Sequence, residues 1–245
     1  MQPSEQAYWV GGGALKFILS EERGCRVYMI DGGRDLAMVD AELGITIEPI
    51  LTSMRFDGPD PGQLQCLVLT HVHASQAGTA FGWHERFGVE GATSWQTAEH
   101  LSKGDEERVS LSIAKEGGFY TGKYVFNPAR SRTRAIKKTS SGSATRVAGF
   151  PNSRQCSGML SLILCEEGKS ILFPGDAVFH GDKLLPSNTW DGNLEQYVQS
   201  IEKLARQRGD TLLSGHLTIT MDRGGRRAQK ALQTLEGRSS SPNII

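Results

Sequence analysis

The stretch Cys66–Gly78, "CLVLTHVHASQAG", is an apolar run that ends in two histidines spaced one residue apart. Such a run, closed by polar residues, reads as a buried strand. Two imidazoles at i and i+2 on the turn leaving a strand can reach one metal ion, and imidazole is a common ligand for zinc, iron and related ions. A fuller metal site would carry more ligands directly after His73, where this chain has Ser75 and Gln76.

Two further constellations stand in the same relation to apolar runs. Asp176 follows "ILFPG" and His216 follows "LLSG". Strand ends are where a rigid core presents side chains to a shared cleft, and the glycine before each residue lets backbone approach closely.

Around these points the N-terminal third reads as short strands at 15–19, 25–31, 35–41 and 66–71, with Asp31-Gly32-Gly33 turning the second into the third. After Gly78 the spacing of Ala77, Ala80, Phe81, His84 and Phe87 predicts one face of a helix, with His84 a packing or surface residue. Residues 93–148 are the least regular part, with a polar helix candidate at 104–118 and then a basic, Ser/Thr-rich section; they read as a variable insertion. Strands return at 144–150 and in the pair "MLSLILCEEGKSILF", whose turn is Glu166 to Lys169. A helix over 194–208 places Leu194, Tyr197, Val198, Ile201, Leu204 and Ala205 on one stripe, closed by Gly209. A strand "TLLSGH" and a helix near 224–235 follow, and 237–245 reads as a frayed tail. The whole, 1–245, is expected to form a single domain.

Charge is balanced, 27 basic against 27 acidic side chains, so the overall field favours neither nucleic acid nor an anionic membrane surface, and a small-molecule partner is expected. Cys25, Cys66, Cys156 and Cys165 lie in or beside apolar runs and read as reduced thiols. The start "MQPSEQAYWVGGG" has no leader pattern, and no segment approaches eighteen continuous apolar residues, so a soluble, cytoplasmic protein is expected.

On these motifs the chain resembles the metallo-β-lactamase superfamily. "VYMIDGGRDLAMVDAELG" is similar to that family's opening hairpin, with Asp40 in the place of its buried aspartate, and "LTHVHASQAG" resembles its T-H-x-H-x-D-H-x-G signature. "ILFPGDAVF" resembles the strand with the bridging aspartate and "LLSGH" the strand with the last histidine. The resemblance implies an α/β fold, an αββα sandwich of two mixed β-sheets flanked by helices, with the metal at an edge where strand ends meet. It also exposes departures. Ser75 and Gln76 replace an Asp-His pair, and "NSRQCSGML" puts Gln155 where a third first-site histidine is usual. Four good ligands survive of the usual seven: His71, His73, Asp176 and His216.

His71, His73 and Asp176 form a two-histidine, one-carboxylate set with open positions, to which Gln155 could add a carbonyl oxygen. One divalent metal, with zinc first and iron or manganese as alternatives, can activate water without a second ion. His216 and Gln76 are the candidate catalytic residues, with His216 either a further ligand or a general base. The expected activity is hydrolysis of a small ester, thioester, lactone or amide at a mononuclear or atypical metal site. The alternatives are a mononuclear iron oxygenase or lyase on the same fold, and a catalytically silent ligand-binding or structural protein. Arg130, Arg132 and Arg134 would share one face of an extended strand, which near a cleft would favour an anionic substrate and elsewhere would serve as a charged, aggregation-resistant edge.

Overall fold

The computed structural model describes residues 1–14, 17–57, 59–104, 106–107, 109–126, 133–135, 146–151, 158–180 and 194–237. The chain divides by its internal contacts into two units, Met1–Ala135 and Ile136–Ile245.

The first unit opens with β1 (Ala7–Gly11) and a small ladder of β2 (Gly13–Ala14) and β3 (Phe17–Ile18). β4 (Val27–Asp31) and β5 (Leu36–Val39) form the expected hairpin, in which Asp31 Oδ1 accepts from the Gly33 N–H at 2.7 Å. Val27, Tyr28, Met29 and Ile30 are all buried. An unbroken apolar run of this kind covers both faces of a strand, as interior strands require. Helix α1 (Glu48–Asp57) then packs on β1 and carries the chain to β6 (Leu64–Val68), which lies parallel to β5. The helices α2 (Ala74–Ala77) and α3 (Ala80–Phe87) return it to β7 (Glu90–Thr93). After α4 (Trp95–Lys103) and α5 (Leu111–Glu116), β8 (Thr133–Ala135) completes a mixed sheet in the order β1-β4-β5-β6-β7-β8. Parallel neighbours need crossovers of this length.

The second unit holds a mixed sheet of β9 (Arg146–Pro151), β10 (Leu160–Glu166), β11 (Lys169–Phe173) and β12 (Thr211–Leu212), in the order β12-β11-β10-β9. β10 and β11 are the predicted hairpin, paired from Leu162↔Phe173 to Glu166↔Lys169. Two helices, α6 (Leu194–Ala205) and α7 (Gly225–Glu236), pack together. Tyr197, Ile201 and Leu204 of one and Ala228 and Ala231 of the other are buried.

Three sequence expectations shift in detail. The strand expected to run to His71 ends at Val68, because the Thr70 N–H leaves the ladder for the Asp40 carboxylate. "TLLSGH" is a strand only over Thr211–Leu212. The helix expected after Gly78 forms as α3, but its most buried ring is Trp83, not Phe81 or Phe87, which are half-buried. Trp83 lies on the same stripe as Ala80 and Phe87 and stacks on Phe87 with 5.8 Å between ring centroids. Of two rings competing for the interior, the larger gains more by leaving water. Between 93 and 148 the described residues include α4, α5 and β8, the last strand in its sheet; Arg134 lies on it, while Arg130 and Arg132 fall outside the described residues.

Candidate functional site

In each unit the polar residues of interest leave a pair of parallel strands at the same end. β5 and β6 pair with Val39 opposite Val68, so Asp40 and the segment Thr70–His71 emerge side by side. β11 and β12 pair with Leu172 opposite Leu212, which brings Asp176 and His216 off one end of the second sheet. Parallel pairing aligns carboxyl ends, and this is where α/β proteins gather functional groups.

In the first unit a relay of three residues sets the chemistry of His71. Asp40 is buried and takes a left-handed backbone at φ +60°, which aspartate tolerates better than most residues. Its carboxylate accepts the Thr70 N–H at 2.7 Å and the Thr70 hydroxyl at 2.9 Å. The hydroxyl has one proton, and a carboxylate can only accept it. Thr70 Oγ1 therefore acts as acceptor toward His71 Nδ1, 3.0 Å away, and Nδ1 carries the hydrogen. The neutral ring then bears its lone pair on Nε2, the form in which a histidine binds a metal. His73 stands edge-on to His71, with ring centroids 4.7 Å apart. His71 is fully buried and His73 partly so. The donor chemistry of this pair fits a divalent ion.

Ser75 and Gln76 lie in α2, both buried, and the Ser75 hydroxyl donates to the Gln76 side-chain carbonyl. The Gln76 main-chain carbonyl accepts the Ala41 N–H at 2.6 Å, which ties α2 to the turn after Asp40. Glu42, which sequence reasoning passed over, belongs to the same turn. It is buried at φ +69° and accepts from the Glu21 N–H at 3.0 Å and from the Ser20 hydroxyl. A Cβ on Gly24 would stand 2.3 Å from the Glu42 Cγ, so only glycine fits there. Burial pushes the Glu42 carboxyl up to about 7, against the pull of its Ser20 and Glu21 hydrogen bonds. The available signal was an acid set between Ala41 and Leu43, where an apolar residue would be ordinary.

In the second unit His216 Nδ1 lies 2.9 and 3.0 Å from the two oxygens of Asp176. Asp176 is buried, and the His216 side chain is 31% exposed, so the pair has one anchored member and one that meets solvent. The approach needs Gly215, since a Cβ there would stand 2.5 Å from Asp176 Oδ1. A carboxylate only accepts, so His216 donates from Nδ1, which leaves Nε2 as the second ring nitrogen. Gln155 and Cys156 lie outside the described residues. Within neither unit do three His, Cys, Asp or Glu side chains among the described residues gather to hold an ion. Cys25, Cys66 and Cys165 are free thiols, and burial raises the Cys66 thiol above its ordinary range.

Two mixed sheets with helical crossovers and polar strand-end loops define an α/β protein built to present side chains from a rigid frame. The chain belongs to the metallo-β-lactamase superfamily: that family's model matches residues 21–216, which run through both units. It has the superfamily's fold of two mixed sheets flanked by helices, and the superfamily consists mostly of hydrolytic enzymes that typically bind divalent metals. Among solved structures it is similar to a metallo-β-lactamase of Cronobacter sakazakii described by its HARLDQ motif, at 15% identity and TM-score 0.71, covering 97% of this chain and 95% of that one. It is also similar to a B3 metallo-β-lactamase described by an active-site glutamic acid, at 19% identity and TM-score 0.67, over 96% and 90% of the two chains. The subclass B3 enzyme BJP-1 of Bradyrhizobium japonicum is similar at 15% identity and TM-score 0.69, over 97% and 92%. No curated protein matches the sequence. No helix among the described residues is long and apolar enough to cross a membrane.

Proposed function

We propose that the protein is a metal-dependent hydrolase of a small ester, thioester, lactone or amide, using one divalent metal, zinc in the first place. His71, His73 and Asp176 would hold the ion, with Gln155 as a weak fourth donor. The observation that carries this reading is the Asp40–Thr70–His71 relay, which holds His71 in its metal-binding tautomer. A buried chain of hydrogen bonds ending on an imidazole is how metal ligands are commonly oriented. The Gln76 position supports it too. Set beside H-A-R-L-D-Q of the Cronobacter protein, H-V-H-A-S-Q over 71–76 shares the first histidine and the last glutamine, so a glutamine can end this motif in a protein called a metallo-β-lactamase. The family match through both units supports reading the whole chain as one such domain, with 93–148 as its insertion. Free thiols suit a reducing compartment, and the cytoplasm is the proposed location.

A bound divalent ion supplies Lewis acidity and lowers the pKa of its water toward about 7. His216 would take the proton of the attacking water on Nε2, since its Nδ1–H is committed to Asp176. Asp176 holds that ring in one tautomer and steadies it once charged, as an orienting carboxylate does. The Gln76 amide, fixed against Ser75, would hold the polar end of the substrate.

The test pairs elemental analysis of protein purified without chelators with a hydrolysis panel of esters, thioesters, lactones and amides, a β-lactam among them. Wild type should carry one divalent ion per chain and turn over at least one class. His71→Ala with Asp176→Ala should lose the ion, and His216→Asn should keep it while turnover falls by about 10²–10⁴. Metal that persists in the double variant refutes the ligand set. Fully metallated protein inert across the panel refutes the hydrolase, and iron in that inert protein would promote an oxygenase.

A further inference from the structure

Two unrelated costs meet at Glu42. Its backbone is left-handed at φ +69°, a region that glycine enters freely and other residues seldom take, and its side chain is closed inside the first unit at 2% exposure. Strain and a buried ionisable group at one position point to a group that acts on its surroundings.

Those surroundings are the supports of α2. A four-residue helix does not hold itself, and the bonds that fix it come from outside. The Ala74 N–H donates to the Val109 carbonyl at 3.2 Å, the Cys25 N–H to the Ser75 carbonyl at 3.3 Å and the Ala41 N–H to the Gln76 carbonyl at 2.6 Å. Just beyond the helix the Thr79 N–H donates to the Glu42 carbonyl at 3.1 Å. Two of these supports lie on segment 41–42 and one on Cys25, and the Glu42 carboxyl joins them. Its Oε1 accepts the Glu21 N–H at 3.0 Å and the Ser20 hydroxyl, whose oxygen accepts the Gly12 N–H at 2.7 Å. The Glu21 carbonyl accepts the Gly24 N–H at 3.0 Å, which closes the loop leading into Cys25.

Both donors reach Oε1, so Oε2 is the oxygen that carries the proton of the neutral acid. The groups nearby do not favour its ionisation. The Glu21 carboxylate repels it, and Tyr124, kept neutral by burial, bonds the Glu21 side chain. Arg23 lies over the Phe119 ring and donates to the Phe119 carbonyl, Lys123 lies over the Tyr124 ring, and Asp40 is turned to Thr70.

We propose that Glu42 is a positioning residue for α2: as a neutral acid it joins loop 20–25 to segment 41–42, and loss of its proton releases that loop and its hold on Ser75. The consequence for turnover, a Gln76 amide that grips substrate less firmly as pH rises, rests on the proposed hydrolase; the release itself does not. Burial, with Glu21 adding to it, lifts the carboxyl to about 7, whereas an opened loop returns it to the ordinary 4.5. Opening is therefore rarest below pH 4.5, grows by up to about tenfold per unit toward pH 7 and levels off above, where both forms are ionised.

Amide hydrogen exchange on the full chain, resolved by residue from pH 5 to 8.5 and corrected for the intrinsic pH dependence of exchange, tests this without substrate. The Glu21 and Cys25 amides should lose protection by roughly 30- to 70-fold between pH 5 and 8, most of it below pH 7. Glu42→Gln keeps the acceptor and replaces the acid with a neutral amide, so both amides should hold their pH 5 protection throughout. Ser20→Ala should carry the fall to higher pH, since the Ser20 bond pulls the carboxyl down. With a substrate from the hydrolysis panel, KM should rise over the same range in wild type and stay flat in Glu42→Gln. Protection indifferent to pH, a fall that persists in Glu42→Gln, or protection equal at every pH to that of the β10–β11 hairpin amides would each overturn the assignment, the last because the loop would then open only with the whole fold. The expected exchange beside an inert panel would support the positioning role and count against the hydrolase alone.

Discussion

Thr70 illustrates how much one short side chain decides. With its single hydroxyl proton given to Asp40, its oxygen fixes which nitrogen of His71 carries hydrogen. Glu42 is the opposite case, a charge placed where the fold disfavours it. Its carboxyl is raised to about 7, first by burial, so the folded chain keeps the proton over a pH range in which the unfolded chain has lost it. Stability from this group is therefore full below about pH 4.5 and falls as pH rises toward 7. Glu42→Gln retains an oxygen for the Ser20 hydroxyl and the Glu21 N–H and carries no charge. It should stabilise the protein by on the order of 1–3 kcal/mol at pH 8 and by less at pH 5. Denaturant midpoints at the two pH values check this, and a gain of equal size at both would show that ionisation is not the cause.

At the scale of elements, the four-residue α2 is where this chain departs from its family's motif. Ser75 and Gln76 are buried there, and the Ser75 hydroxyl donates to the Gln76 side-chain carbonyl, a bond that needs no ion. Ser75→Asp with Gln76→His would bury a carboxylate that needs a cation. The variant should lose roughly 1–3 kcal/mol in metal-free buffer and regain it as zinc is added, taking up a second ion. A single ion at saturating zinc would mean that α2 does not carry its side chains toward a metal. The neighbouring α3 shows how an element's type can be legible while its buried face is only partly so: spacing gave the helix and the buried Ala80, but the ring that fills the interior is Trp83, while Phe81 and Phe87 stay half-buried. Element ends were harder to read than element types. β6 stops at Val68 because a side chain thirty residues earlier in sequence, Asp40, captures the Thr70 N–H.

For the whole molecule, balanced charge is a sum that conceals local structure. The 27 basic and 27 acidic groups cancel over the chain, yet Arg223, Arg226, Arg227 and Lys230 stand around one cleft. Metal and stability should be linked across the protein. An ion that binds only the folded state adds about 2.7 kcal/mol at a hundredfold excess over Kd, and a chain of this size gains roughly 2–4 °C in Tm for each kcal/mol. Chelation followed by dialysis should lower Tm by about 5–10 °C, and zinc should restore it. A melting curve indifferent to both treatments would remove the metal from the account.

The two hairpins, the helices α3, α6 and α7 and the candidate residues His71, His73, Asp176 and His216 were legible in the linear chain, because each is announced within about a dozen residues by period, turn chemistry or motif, whereas β1, α1, β7 and α4 were not among the expected elements. The family followed from the same signals. Tertiary structure alone decided the partners of those residues: that Asp40 speaks to His71 through Thr70, that both Asp176 oxygens lie at His216 Nδ1, and that Glu42 is closed in by Ser20 and Gly24. The physical reason is separation along the chain. Asp40 and Thr70 lie thirty residues apart and Asp176 and His216 forty, and only parallel strand pairing brings their ends together. Local pattern reports which face a residue takes, whereas a hydrogen bond between distant residues depends on register, and register is set by the packing of the whole sheet.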